Sequence, residues 1–130
     1  MTATPQEARE RARIAIREFR PEDYAGITDV SNLVDPDYPS TETEVREEDA
    51  MWDRKKYVQV RYVTADAGTG AIVALAEYNH MPWSFDPRRF AMWIGVRPDR
   101  QGQGIGRALY MRLLEDFRAR GASALRSWVR

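Results

Sequence analysis

The segment Val96-Arg97-Pro98-Asp99-Arg100-Gln101-Gly102-Gln103-Gly104-Ile105-Gly106-Arg107 decides how the rest of the chain is read. It follows an apolar run, turns through a proline and three glycines, and opens into an amphipathic helix. A helix start leaves its first backbone amides without partners and carries a partial positive charge, so a glycine-lined turn there can grip an anion such as phosphate. Gly102, Gly104 and Gly106 alternate strictly, and glycines at a helix start weaken it by roughly 0.5 kcal/mol or more each. That cost points to a gain elsewhere. Close approach of the backbone to a phosphate is the natural one, because a Cβ at Gly104 or Gly106 fills the space a phosphate needs. A tight strand-to-helix turn without a ligand is the plainer alternative.

Two familiar phosphate motifs do not fit. A P-loop requires lysine and then serine or threonine after its last glycine, whereas Arg107 and Ala108 follow Gly106. The dinucleotide fingerprint spaces its glycines differently and sits after the first strand of a parallel unit. Here the glycines alternate and come late in the chain.

Outward from the turn, the pattern predicts a mixed α/β fold. Residues 90–96 are apolar throughout and read as a central strand. Ile105, Ala108, Leu109, Leu113 and Phe117 recur at three- and four-residue spacing, which predicts a helix that Gly121 terminates. Residues 124–129 begin another strand. Further back, residues 57–66 alternate, with Val58, Val60 and Tyr62 on one face, and residues 71–78 form a nearly continuous apolar strand. The glycines of residues 67–70 make these two a hairpin. Ile14, Ile16 and Phe19 suggest a first strand. Pro21 then opens a helix with an apolar stripe of Tyr24, Ile27, Val30 and Val34. Thr41 with Glu44 offers a capping box for a second helix reaching about Trp52, its thin apolar face being Val45, Met51 and Trp52. Residues 1–13 form a polar N-terminal extension, with a further capping box in Thr4 and Glu7. Strands this apolar need cover on each side, so helices are expected on both faces of the sheet.

Composition narrows the function. At 130 residues and 43% hydrophobic content, the chain suits one domain. Twenty basic residues balance twenty acidic ones, with a pI of about 6.6, so no overall field attracts nucleic acid or an anionic membrane. No cysteine and a single histidine, His80, leave no thiolate chemistry and no metal cluster to expect. A reducing, cytoplasmic setting fits this composition. No apolar run approaches the roughly 20 residues of a membrane-spanning helix.

Gln101, Gly104 and Gly106 in the order Gln-x-x-Gly-x-Gly, together with the preceding Val-x-Pro, resemble the acetyl-CoA-binding motif of the GCN5-related N-acetyltransferase (GNAT) family. The resemblance is specific over residues 94–109 and matches elsewhere in element order. It implies a GNAT-like mixed, mostly antiparallel sheet, acetyl-CoA as cosubstrate, and transfer of acetyl to a primary amine on a small molecule or peptide. It also implies that Gln101, Gly102, Gln103, Gly104, Ile105, Gly106 and Arg107 hold the pyrophosphate. The backbone of Ile94, Gly95 and Val96 would pair with the pantetheine arm, Gly95 permitting a bulge or a close approach.

In this family an amine attacks the thioester directly, and a glutamate commonly removes its proton. The fourth strand has Phe90 near where one branch keeps that glutamate. Glu77, which interrupts the apolar third strand, is the first candidate for the catalytic base, expected near the cofactor mouth, and His80 the second. Either residue can equally be an ordinary strand-end carboxylate or loop histidine. Trp83 and Phe85 are candidates for walling the acceptor pocket or for covering a sheet edge. Glu42, Glu44, Glu47, Glu48 and Asp49 either attract a cationic amine or form a solvated helix face. Relative to the family the chain lacks the last helix and two strands. A fragment, half of a tandem protein, or a sheet completed by a homodimer partner or another domain is therefore expected. A non-catalytic acyl-CoA-binding or structural module is the alternative to an enzyme.

Overall fold

The computed structural model describes residues 15–128, and side chains as far as Ser123. The proposed capping box of Thr4 and Glu7, and Ile14 and Val129, lie outside the described residues. Five strands form one sheet in the order β1-β2-β3-β4-β5. These are β1 (Ala15–Glu18), β2 (Gln59–Ala65), β3 (Ile72–Asn79), β4 (Arg89–Val96) and β5 (Ala124–Trp128). The first four are antiparallel neighbours. β5 lies parallel to β4 because a helix crossover returns the chain to the same end of the sheet. The expected mixed, mostly antiparallel α/β sheet is present.

Helices α1 (Tyr24–Val34) and α2 (Glu42–Met51) precede β2, and α3 (Ile105–Arg120) joins β4 to β5. Alternation along the strands sorts side chains onto two faces. Tyr62, Ala74, Ala76, Tyr78 and Met92 pack with Ile105, Leu109, Leu113 and Phe117 of α3. On the other face Val63 and Leu75 pack with Ile27 and Val30 of α1. Asp116 further pins α3 to the sheet, accepting the hydroxyls of Tyr62 at 2.5 Å and Tyr78 at 2.8 Å. Burial, then the Asp116 hydrogen bond, pushes both phenols up.

The helix ends follow their sequence signals. A 3-10 turn at Pro21–Asp23 leads into α1. Thr41 accepts the Glu44 amide at 3.1 Å and donates to its carboxylate at 3.1 Å. Gly121 ends α3 at φ +66°, with the Ala122 amide reaching back to the Phe117 carbonyl at 2.9 Å.

The expected face of α2 needs correction. Met51 is 86% exposed, and the buried residue of that helix is Asp49. Asp49 accepts the Tyr24 hydroxyl at 2.7 Å and two Arg61 nitrogens at 2.9 and 3.3 Å. Val45 packs against the α1-side cluster as expected, and an ion pair completes the docking of α2 where Met51 was expected. Trp52 caps the helix and donates its indole nitrogen to the Tyr57 carbonyl.

Candidate active site

Past β4 the chain makes a 3-10 turn at Pro98–Arg100, crosses three glycines and enters α3. Several bonds hold this turn in place. The Arg97 amide donates to the Val73 carbonyl at 2.9 Å, and the Gln101 side-chain amide donates to the Val96 carbonyl at 3.1 Å. Arg100 pairs with Asp66 in the β2–β3 turn at 2.6 Å and donates to Gln103 at 3.2 Å. The Arg100 guanidinium, aided by the Thr69 and Gly68 amides, holds the Asp66 carboxyl down at about 2.

Gly102 and Gly104 adopt φ of +78° and +84°, the left-handed region that suits glycine. A Cβ on either would meet no protein atom within 4 Å, and one on Gly106 would meet only Val96 Cγ2 at 3.6 Å. The first described bond of α3 runs from the Ala108 amide to the Gly104 carbonyl at 3.0 Å. None of the described hydrogen bonds uses the amides of Gly102, Gln103, Gly104, Ile105, Gly106 or Arg107 as donors. No acidic residue stands in that first turn. Unused amides, open space and a helix first turn without a carboxylate fit a bound pyrophosphate.

β4 supplies an adjoining edge. Its register with β5 runs from Arg89–Ala124 to Trp93–Trp128. Among the described residues nothing on the β5 side pairs with Ile94, Gly95 or Val96. On the other side these pair regularly with Ala76, Leu75 and Ala74. Gly95 is thus not at a bulge. The close approach it permits comes from Trp93, two residues back on the same face, whose indole covers the position a Cβ would take.

On the face carrying α1 and α2 a cavity of about 300 Å³ opens between helices and sheet. Its apolar lining includes Ile27, Val45, Leu75 and Trp93, and its charged lining is Asp35, Glu48, Arg61 and Glu77. Glu77 stands opposite Trp93 on β4 and opposite Arg61 on β2. Its Oε2 accepts from Arg61 Nε at 2.9 Å, while Oε1 makes no described hydrogen bond. Burial opposes the Arg61 charge, but Glu77 and Asp49 outweigh it and raise its pKa. For Asp49 too, burial raises the pKa, and the Arg61 and Tyr24 hydrogen bonds bring it below the ordinary carboxylate range.

The structure separates the two candidate bases. Glu77 faces the cavity midway along the sheet, level with the last described β4–β5 pair. His80 lies at the opposite end of β4 from the glycines. It is 5% exposed, stacks on Phe90 at 4.5 Å, accepts the Val58 amide at Nδ1 and donates from Nε2 to the Pro87 carbonyl. Both ring nitrogens thus serve the fold. Trp83, 70% exposed, and Phe85, packed on Tyr57 and His80, belong to that same remote loop. Of the acids, Glu42 pairs with Arg46, Asp49 is buried on Arg61, and Glu48 lines the cavity.

Sequence reasoning missed Arg61, Asp35, Trp93 and the inward turn of Asp49. A cation at Arg61 in the same hairpin as Glu77 was the available signal, although their register was not.

Comparisons with known proteins identify the family and the fold. Residues 27–130 match the model of the acetyltransferase (GNAT) family, and the chain belongs to that family. Among solved structures it is similar to a Trypanosoma brucei acetyltransferase, with 23% identity, TM-score 0.68, and 90% of this chain and 83% of that one covered. A Brucella melitensis GNAT-family acetyltransferase in complex with acetyl-CoA gives 24% identity and TM-score 0.64, over 88% and 74%. A putative Salmonella typhimurium acetyltransferase, also with acetyl-CoA, gives 22% and 0.69, over 88% and 68%. No curated protein matches the chain. Among the described residues no helix is long and apolar enough to cross a membrane.

Proposed function

We propose that this protein transfers an acetyl group from acetyl-CoA to the primary amine of a small molecule. The observation that carries the reading is the pairing of an unused amide cradle at residues 102–107 with an acid-bearing cavity on the other side of the β4 edge. The amides of Gly102, Gly104 and Gly106 would bind pyrophosphate, Arg107 adding positive charge and Gln101 fixing the turn against Val96. Backbone groups of Ile94, Gly95 and Val96 would orient the pantetheine arm. From Val96 to Trp93 the strand rises about 10 Å, which brings the reacting centre level with Glu77.

Acetyl-CoA supplies the activated acetyl group. Glu77 Oε1 would accept a proton from the incoming ammonium, directly or through water. The freed amine nitrogen bonds to the carbonyl carbon, the carbon–sulfur bond breaks, and the sulfur leaves with the electron pair and takes up a proton. Much of the acceleration would come from holding both reactants in line. Release of free thiol from acetyl-CoA in the presence of primary amines tests the proposal. Acetyl-CoA binding with no thiol release for any amine would reduce the protein to an acyl-CoA binder, and no binding would remove the reading altogether.

A further inference from the structure

The geometry points to an acceptor that carries a second cationic group and no carboxylate, an inference resting on the acetyl transfer proposed above. The observation behind it is the state of Arg61, the one cation among the described residues lining the cavity. Its Nε donates to Glu77 at 2.9 Å, and its two terminal nitrogens donate to Asp49 at 2.9 and 3.3 Å. Its guanidinium also lies 4.7 Å from the Phe19 ring centre. The side chain is only 10% exposed. An anionic substrate group would have to displace Asp49 or Glu77 from this guanidinium. Displacing Asp49, itself 7% exposed, strands a buried carboxylate, which is strongly unfavourable.

A cation meets the opposite situation. Glu77 Oε1 makes no described hydrogen bond, and Glu48 makes no described hydrogen bond or ion pair. Glu48 belongs to α2 and Glu77 to β3, so the two carboxylates stand on different walls of the cavity. Leu75 and Trp93 offer apolar surface between them. At about 300 Å³ the space is at the small end for ligand pockets, which suits a short chain. A linear diamine satisfies all of this. One ammonium meets Glu77 and gives up its proton for transfer, the methylenes lie on Trp93 and Leu75, and the second ammonium stays charged at Glu48.

Three four-carbon amines test the inference: 1,4-diaminobutane, butylamine and 4-aminobutanoate, compared by kcat/KM from thiol release. The diamine is expected to exceed butylamine by about tenfold, mainly through KM, with 4-aminobutanoate the poorest. Glu48→Gln is expected to cut the diamine advantage to about threefold or less, whereas Glu47→Gln, an exposed charge on the same helix outside the cavity lining, leaves it intact. Equal use of the three amines, a preference for 4-aminobutanoate, or a diamine advantage insensitive to Glu48→Gln would overturn the inference. Calorimetric titration of 1,4-diaminobutane into the CoA-loaded protein separates it from the transfer reading. Binding weakened by Glu48→Gln without turnover sustains the cation pocket while transfer fails, and no diamine binding overturns the pocket itself.

Discussion

Arg100 Nη1 lies 2.6 Å from Asp66 Oδ2, so the turn that opens α3 is tied to the tip of the β2–β3 hairpin. The Asp66 carboxyl is held at about 2, below its ordinary 3.8. A folded value below the unfolded one means that the pair's contribution is complete above about 3.8 and is lost as pH falls through about 2. NMR titration should give Asp66 a midpoint of about 2, returning toward 3.8 in Arg100→Ala. A wild-type midpoint near 3.8 would show that the tie is absent in solution.

Gly104 and Gly106 should respond differently to alanine. Gly104 has φ +84°, so Gly104→Ala imposes a left-handed conformation costing about 1–2 kcal/mol. Gly106 is helical with room for a Cβ, and Gly106→Ala should leave stability unchanged or raise it by roughly 0.5–1 kcal/mol. Yet it should weaken acetyl-CoA binding by about tenfold, since the methyl occupies space assigned to phosphate. Thermal melts and calorimetry read the two effects separately. Unchanged affinity in Gly106→Ala would move the pyrophosphate elsewhere.

Trp93 covers the place where a side chain at position 95 would begin. Gly95→Ala should destabilise by about 1–3 kcal/mol through overpacking. Adding Trp93→Ala should recover much of that loss relative to Trp93→Ala alone. A double-mutant cycle measures the coupling, and an additive result would mean the indole does not lie there.

Arg61 and Asp49 are both nearly enclosed, with side chains 10% and 6% exposed. Arg61→Met leaves Asp49 buried without its counter-ion, so a loss of roughly 3–5 kcal/mol is expected in denaturant melts. The lowered Asp49 pKa gives stability that is present above its unfolded value and lost as pH falls through the depressed one. Arg61→Met should accordingly flatten the acid side of the stability profile.

His80 supports the β3–β4 loop through both ring nitrogens. Its replacement by alanine should cost about 2–4 kcal/mol in stability. Below the melting temperature the variant should keep its pH profile of kcat/KM, whereas loss of the acidic limb would restore His80 as a candidate base.

The strands, the helices and the glycine turn were legible because each rests on local chemistry: alternation, three- and four-residue spacing, capping residues and glycines at a helix start. Reading Met51 as part of a buried face failed because spacing identifies apolar positions and says nothing about an ion pair docking the same helix. The hairpin shows why the Arg61–Glu77 pair was hidden. Ala65 stands opposite Ile72, but from Thr64 onward the register slips by one, setting Thr64 opposite Ala74 and Arg61 opposite Glu77. Counting outward from the turn without that slip would put Arg61 opposite Ala76. A shift of one residue in a strand exchanges its faces.

By itself, then, the sequence determined the family, the element order and the glycine turn before α3, since contiguous residues build each of them. Only the tertiary structure decided the cavity. Asp35, Glu48, Arg61, Glu77 and Trp93 come from five separate elements or their ends, and they meet because strand register and helix docking bring them together. No spacing along one chain encodes such a meeting.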